Sequence, residues 1–301
     1  MTASRGRTAA FAALALLAVV WGYNWVVMKV ALTYSPPFPF AAMRAAGAAV
    51  LLFGLLSVMR KPLRPPAPGR MVLLALFQTV GFVSLTSFAL YTGHAGKTAI
   101  LAYTMPFWVL VLAVPVLGER VTRGKAVAGG LGFAGLLLIL SPWRAHPTFV
   151  STLLAAGAGL DWAIAVMIAK KIPAHGTWDL LALNAWQTLV GCGPLVAAAF
   201  LVPAGPVHWS IPFDLALVYN IVLGTSLAWF LWLFILSRLP AGLSGLASLV
   251  IPVVGILAAW LQLGERPGLW EGAGVIAVIT GLGLLAWSEG RTTRRPGRMR
   301  H

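Results

Sequence analysis

The sequence predicts an all-α integral membrane protein whose ten transmembrane helices form two inverted five-helix repeats. Three observations carry that expectation. Of 301 residues, 59% are hydrophobic and only 10% charged, with a mean hydropathy of +0.88, which leaves too little polar surface to wrap a soluble globule. Apolar runs of about twenty residues, the length that crosses ~30 Å of hydrocarbon, recur along the chain with short polar breaks. A proline followed by Gly-Glu-Arg occurs twice, 146 positions apart: Pro106 with Gly118, Glu119 and Arg120, and Pro252 with Gly264, Glu265 and Arg266.

The runs lie near 9–30, 39–59, 71–91, 98–117, 124–141, 148–169, 178–202, 213–236, 242–263 and 268–287. Lipid tolerates neither open strand edges nor irregular backbone, so each run is expected to be helical. The first follows Arg5 and Arg7 and superficially reads as a secretory signal. It is long, holds Asn24 and Lys29 in its outer part and completes the repeat, so it reads as an uncleaved helix. The loops at 60–70 and 203–212 and the tails could not hold a hydrophobic core. The single cysteine, Cys192, falls within a predicted helix and permits no disulfide within the chain. The expected organisation is a first repeat at 1–147, an inverted second repeat at 148–290 and a basic cytoplasmic tail at 291–301.

A net charge of +15 could suggest nucleic acid, but its placement points to a bilayer. With both tails on one side, every Lys and Arg falls on that side except Lys29, Arg44, Lys97, Arg144 and Arg266, while the acids show no such bias. This positive-inside pattern puts both termini in the cytoplasm, in a multi-pass protein of the cell membrane, the inner membrane in a bacterium. The basic tail fits ordinary attraction to anionic lipid. No nucleic-acid partner is expected.

Five spans per half is an odd number, so the second half must enter the membrane upside down. The halves match further: Trp21 and Lys29 are eight apart, as are Trp162 and Lys170, and Gly135-Leu136 recurs as Gly281-Leu282. Two inverted halves around a central site can exchange shapes and open that site to either face. Pro106 and Pro252, read as mid-helix prolines, would each free a carbonyl that only protein or cavity water can satisfy, so their helices are expected to line a cavity. Trp21, Asn24 and Met28 share one helical face, and Gln78, Phe82 and Thr86 another. Asp161, Trp162, Asn220, Thr225, Trp229 and Trp232 add the same mixture of aromatic walls and hydrogen-bonding points, which suits a small amphipathic solute. The cavity candidates are thus Trp21, Asn24, Gln78, Tyr103, Pro106, Trp162, Trp229 and Pro252. Most of the thirteen tryptophans are expected to anchor at interfaces or pack. The small-residue stripes Ala128, Gly132, Gly135 and Ala273, Ala277, Gly281 fit close helix packing, within the bundle or in a homodimer.

Asp161, thirteen residues into the sixth run, is the one carboxylate placed deep in the membrane. It reads either as a proton-coupling group or as a structural ion pair. Arg44 and Lys29 could snorkel outward, and Arg44 could instead grip a substrate carboxylate. Glu119, Arg120, Glu265 and Arg266 end their helices, where an acid opposes the helix dipole unless paired; they read as gate or loop fasteners, bonded to loop amides or the adjacent arginine. His94 reads as a solvated loop residue. Gly96-Lys97-Thr98 imitates a phosphate-binding loop, but Tyr91 stands where its first glycine belongs and no strand precedes it. With no HExxH, GxSxG or metal-ligand cluster, neither cofactor nor metal is expected.

The residues Trp21-Gly22-Tyr23-Asn24-Trp25 through Lys29, Phe40 to Arg44, Tyr103 to Arg120, and Leu249 through Pro252 to Arg266 resemble the EamA family of the drug/metabolite transporter superfamily, over nearly the whole chain. That resemblance implies ten helices, cytoplasmic termini, a cavity bounded largely by the first, third, fourth, sixth, eighth and ninth helices, and export of amino acids, metabolites or drugs. Asn24 and Arg44 fall on family-like positions; Asp161 matches no family motif. The expected function is a secondary transporter exporting small amphipathic metabolites or amino acids by alternating access, coupled to protons, and not an enzyme. A non-transporting receptor or scaffold and an intramembrane lipid-modifying enzyme are the alternatives.

Overall fold

A computed structural model describes residues 2–92, 102–140, 149–172, 179–263 and 268–293. The expectations for His94, Lys97, Arg144, Gly264, Glu265 and Arg266 lie outside the described residues, as does that for the Lys29 side chain. Among the described residues the chain is helical, without strands, and its helices align as ten rods: α1 (Thr2–Ala31), α2 (Pro37–Val58), α3 (68–92), α4 (Met105–Leu117), α5 (Arg123–Leu140), α6 (Phe149–Lys171), α7 (Leu180–Leu201), α8 (Ile211–Arg238), α9 (241–263) and α10 (Leu269–Thr293). Local chemistry sets several ends. Pro37 and Pro68 open α2 and α3 where a missing N–H costs nothing. The Asp179 carboxylate caps α7 by accepting from the Leu181 and Ala182 N–H groups at 2.7 and 3.3 Å. Gly118, at φ +68°, closes α4 in the left-handed conformation that favours glycine.

The rods are apolar outside and partly polar inside, the reverse of a soluble fold. Phe200, Leu261 and Leu269 are more than 80% exposed, whereas Gln78, Asn184, Gln187 and Asn220 are fully buried. That is what a lipid surround requires, since apolar side chains lose nothing by facing acyl chains and polar ones need partners within the bundle.

Exchanging the halves preserves the principal helix pairings. Helix α1 packs on α8 and α9, and its counterpart α6 packs on α3 and α4; α2 meets α8 as α7 meets α3; and α2–α7, α4–α9 and α5–α10 pair across the axis. The α5–α10 pair is the tightest. A Cβ on Gly135 would fall 2.7 Å from the Gly274 carbonyl oxygen, and one on Gly281 3.0 Å from that of Ala128, so small residues let the backbones meet. The stripe on α10 runs through Gly274, Val278 and Gly281, one residue off the expected Ala273 and Ala277; Ala273 is exposed.

Two features depart from regular helices. Helix α9 is broken into Ala241–Ala247 and Val250–Leu263, and α4 starts at Met105 after a turn at Tyr103 and Thr104. Pro106 and Pro252 therefore sit in the first turn of a helical segment, where N–H groups have no intrahelical partner anyway. The mid-helix kink inferred from the length of the apolar runs is replaced by a break with a proline start. The second departure is a π-helical segment at Ala75–Gly81 in α3 and another at Asn220–Leu227 in α8, equivalent places in the two halves.

Candidate functional site

Where the halves meet, a cavity holds about 1040 Å³ of empty space, its open mouth included. Its lining runs along α1 from Trp21 to Leu32 and along α2 from Pro37 to Arg44, so it extends toward the α1–α2 corner, the face away from both tails. Phe82, Val83 and Thr86 of α3, Ala102 and Tyr103 ahead of α4, Trp162 of α6, Gly224 and Trp229 of α8 and Ile251 of α9 complete it. The structure thus brings nine of the anticipated residues to one cavity: Trp21, Asn24, Met28, Arg44, Phe82, Thr86, Tyr103, Trp162 and Trp229. Gln78 is fully buried off the lining, because the wider π turn around it breaks the angular register with Phe82 and Thr86. Pro106 and Pro252 are buried beside the lining, each next to or near a residue that reaches it.

The cavity floor is aromatic. Trp21 and Trp162, equivalent residues of the two repeats, touch edge-to-face with centroids 5.6 Å apart; Trp229 packs on them at 5.0 and 6.1 Å, and Phe82 on Trp162 at 4.9 Å. Fully buried Trp232 lies against both tryptophans at 6.1 and 5.9 Å. The Trp21 indole N–H donates to the Gly224 carbonyl at 3.1 Å, locking the first helix onto the π-segment of α8.

Toward the tail side the two halves are clasped. Glu119, just past α4, accepts from the Ala241 N–H at 2.5 Å and the Gly242 N–H at 3.1 Å at the start of α9, with Lys125 Nζ 3.9 Å away. A carboxylate at the N-terminus of a helical segment is favourably placed. The expectation of a local fastener is thereby amended: the amides belong to the opposite half, and Arg120 is exposed. Beside this clasp the Lys170 ammonium donates to the Leu236 and Leu239 carbonyls at 2.9 and 3.0 Å, capping the end of α8.

Each π-segment receives two polar side chains from the opposite half. The α8 segment takes Asn24 of α1, whose Oδ1 would lie 2.9 Å from a Cβ on Gly224, and Arg44 of α2, whose Nη1 donates to Asn220 Oδ1 at 3.3 Å. The α3 segment takes Asp161 of α6, whose carboxylate would lie 2.5 Å from a Cβ on Gly81, and Gln187 of α7, whose Oε1 accepts from Thr79 at 2.9 Å. Gln187 in turn donates to Asn184 Oδ1 at 3.2 Å, and Asn184 to the Ser226 carbonyl at 2.9 Å, so a polar chain through α7 ties one π-segment to the other. Asp161 Oδ2 and both polar atoms of Gln78 are buried and unpaired among the described residues. Sequence reasoning missed Asn184 and Gln187, although two amides and Thr188 within about one turn of an otherwise apolar run were a visible signal.

Comparison with known proteins agrees with this architecture. The model of the EamA-like transporter family matches residues 8–141 and again 150–287. The chain is 29% identical to the uncharacterized transporter YoaV of Bacillus subtilis, covering 82% of this chain and 86% of that protein. It is 28% identical to a probable amino-acid metabolite efflux pump of Escherichia coli, over 89% and 91% of the two chains. One solved crystal structure shares the fold with a TM-score of 0.82 at 17% identity, covering 95% of this chain and 99% of that one. With the family model matched twice, over most of its length, this chain belongs to the EamA-like transporter family.

Proposed function

We propose that this protein is a secondary transporter exporting small amphipathic metabolites or amino acids by alternating access, with both termini cytoplasmic and the cavity open outward. The observation that carries the reading is a cavity bounded by both repeats that reaches the α1–α2 corner at one face, while Glu119 on Ala241 and Gly242 clasps the halves at the other. Inverted halves of one fold in two different conformations make the opposite arrangement accessible by exchange of those conformations. The resemblance to an amino-acid metabolite efflux pump supports a small organic solute. Asp161 is the coupling group of this reading: an acid inside the membrane, seated on Gly81 beside the cavity wall, can take a proton on one face and release it on the other.

Proteoliposomes preloaded with mixed amino acids and organic metabolites test it. Protein-dependent efflux, accelerated by an opposing proton gradient, is the expected result; no efflux of any solute with or without a gradient would remove the transport reading. Asp161→Asn is expected to abolish the acceleration by the gradient while solute exchange at equal pH persists. Unchanged acceleration would remove Asp161 from coupling.

A further inference from the structure

The cavity is electrically one-sided. Arg44 is the one charged residue on its lining among the described residues, and none of the described carboxylates forms an ion pair with it. Its partners are neutral: Asn220 Oδ1 at 3.3 Å, Met28 Sδ at 3.8 Å and the face of Phe40, 5.9 Å from ring centroid to guanidinium carbon. A guanidinium has five N–H donors in a planar fork, so most of its donors remain to be satisfied, and a cation enclosed by apolar walls strongly favours an anion that can share its site. Two other polar groups of the lining are already engaged, the Trp21 N–H on the Gly224 carbonyl and the Thr86 hydroxyl turned back on the Phe82 and Val83 carbonyls, whereas Asn24 Oδ1 and the Trp162 indole N–H are buried and unpaired among the described residues.

Resting on the transport reading above, we infer that the cavity takes a monoanionic organic carboxylate with a bulky apolar body, its head paired with Arg44 and its body against Trp21, Trp162, Trp229 and Phe82. A carboxylate matches the planar fork with two parallel hydrogen bonds, whereas a doubly charged head would leave one charge without a counterpart. The aromatic floor then receives the apolar body. A cationic amine finds no acid on the lining among the described residues, only the neutral Asn24 Oδ1 as an unpaired acceptor, beside the like charge of Arg44, and so recovers little of the hydration it loses. An amino acid in its zwitterionic form stands between, gaining at its carboxylate and losing at its ammonium.

Four solutes with closely similar bodies separate these cases: 3-phenylpropionate, phenylalanine, 3-phenylpropan-1-ol and 3-phenylpropylamine, titrated calorimetrically into the full-length protein in lipid nanodiscs. The propionate is expected to bind more tightly than the alcohol by roughly tenfold or more, the scale of one charge-assisted head-group pair, with phenylalanine between them and the amine weakest. Arg44→Gln should bring the propionate down to the level of the alcohol, and Arg44→Lys should keep part of the preference. Equal or tighter binding of the alcohol or the amine, no binding of the propionate, or an Arg44→Gln protein that keeps the preference would each overturn the inference; the wild-type ratio decides it even if that variant fails to fold. Counterflow in proteoliposomes separates this from the broader reading. Flux of amines or alcohols without carboxylates would overturn carboxylate recognition and leave transport standing, whereas carboxylate binding without flux of any solute would do the reverse.

Discussion

Replacing Glu119 by Gln tests the clasp most directly. The carboxylate accepts from two backbone N–H groups of the opposite half at 2.5 and 3.1 Å, with Lys125 Nζ at 3.9 Å. Glutamine keeps one carbonyl oxygen, so one hydrogen bond survives as a neutral pair and the other is replaced by an NH2 facing an N–H. Hydrogen bonds to charged groups contribute about 1.5–3 kcal/mol and neutral ones about 0.5–1.5, which makes a loss of ~2 kcal/mol a conservative figure. At ~1.4 kcal/mol per factor of ten, the ratio of clasped to open molecules falls about 30-fold, and an open state holding ~1% of molecules would rise to roughly a fifth. Nitroxide labels at Val121 and Arg238, both exposed near the clasped ends of α4 and α8, report the separation once Cys192, the free cysteine, is replaced by alanine. Pulsed dipolar spectroscopy in nanodiscs should show one distance in the parent and a second, longer population in the Glu119→Gln protein. Glu271→Gln is the control, because that carboxylate accepts from the Gly268 N–H within its own turn. Unchanged distances for Glu119→Gln, or the same new population in the control, would refute the assignment of Glu119 as the fastener between the halves.

The other predictions read different parts of the bundle. Gly135→Ala places a methyl group 2.7 Å from a backbone carbonyl that has no rotamer to escape into, so thermal unfolding in detergent should show a loss of about 1–3 kcal/mol; Gly130→Ala, with no atom within 4 Å, should show none. Gly81→Ala pushes on the movable Asp161 carboxylate instead, and is expected to reduce gradient-driven flux more than it reduces the melting temperature. Asp179→Ala removes the α7 cap and the 2.7 Å pair with Lys61, costing about 1 kcal/mol. Burial pushes the Asp179 carboxyl up, but Lys61 and the Leu181 and Ala182 N–H groups outweigh it and hold the pKa below the ordinary value. Its stabilisation is therefore complete above the unfolded-state pKa near ~4 and disappears as pH falls through the lower folded value, so the melting curves of parent and variant should converge in acid.

The spans were legible because lipid imposes length and hydropathy on every crossing, and the doubling because Pro106 and Pro252 keep one distance to their Gly-Glu-Arg ends. Trp21 and Trp162 could be named as equivalent from spacing alone, although their contact at 5.6 Å depends on how the halves are docked. Other features turn on backbone detail that hydropathy does not encode. A proline inside an apolar run looks the same whether it kinks a helix or starts a new segment, so the breaks at Thr104 and Ser248 emerged only in three dimensions. Nothing in Ala75–Gly81 or Asn220–Leu227 announces a π turn, and this is why Gln78 was expected in line with Phe82 and Thr86. The partners of Glu119 lie 122 and 123 positions away, beyond any local rule, though the pairing of the fourth and ninth helices by symmetry narrows the search.

The π-segments show where duplication and divergence part company. Sterically the two are treated alike: a first helix and a second helix from the opposite half each deliver one polar side chain, Asn24 and Arg44 to α8, Asp161 and Gln187 to α3. Chemically they are opposites, with the cation on one and the acid on the other. A symmetric scaffold makes two mirrored conformations comparable in free energy, but it cannot by itself link a solute to an ion, since linkage requires differential affinity of each ligand for the two states. In the proposed mechanism, Arg44 on one π-segment and Asp161 on its counterpart supply that difference, because exchanging the shapes of the halves changes the surroundings of both charges together. On the reading proposed above, solute and proton are then coupled through one rearrangement. The polar chain from Thr79 through Gln187 and Asn184 to Ser226 connects the two segments without passing through the cavity, so Gln187→Leu should lower the dependence of flux on the proton gradient while leaving carboxylate binding near its parent value.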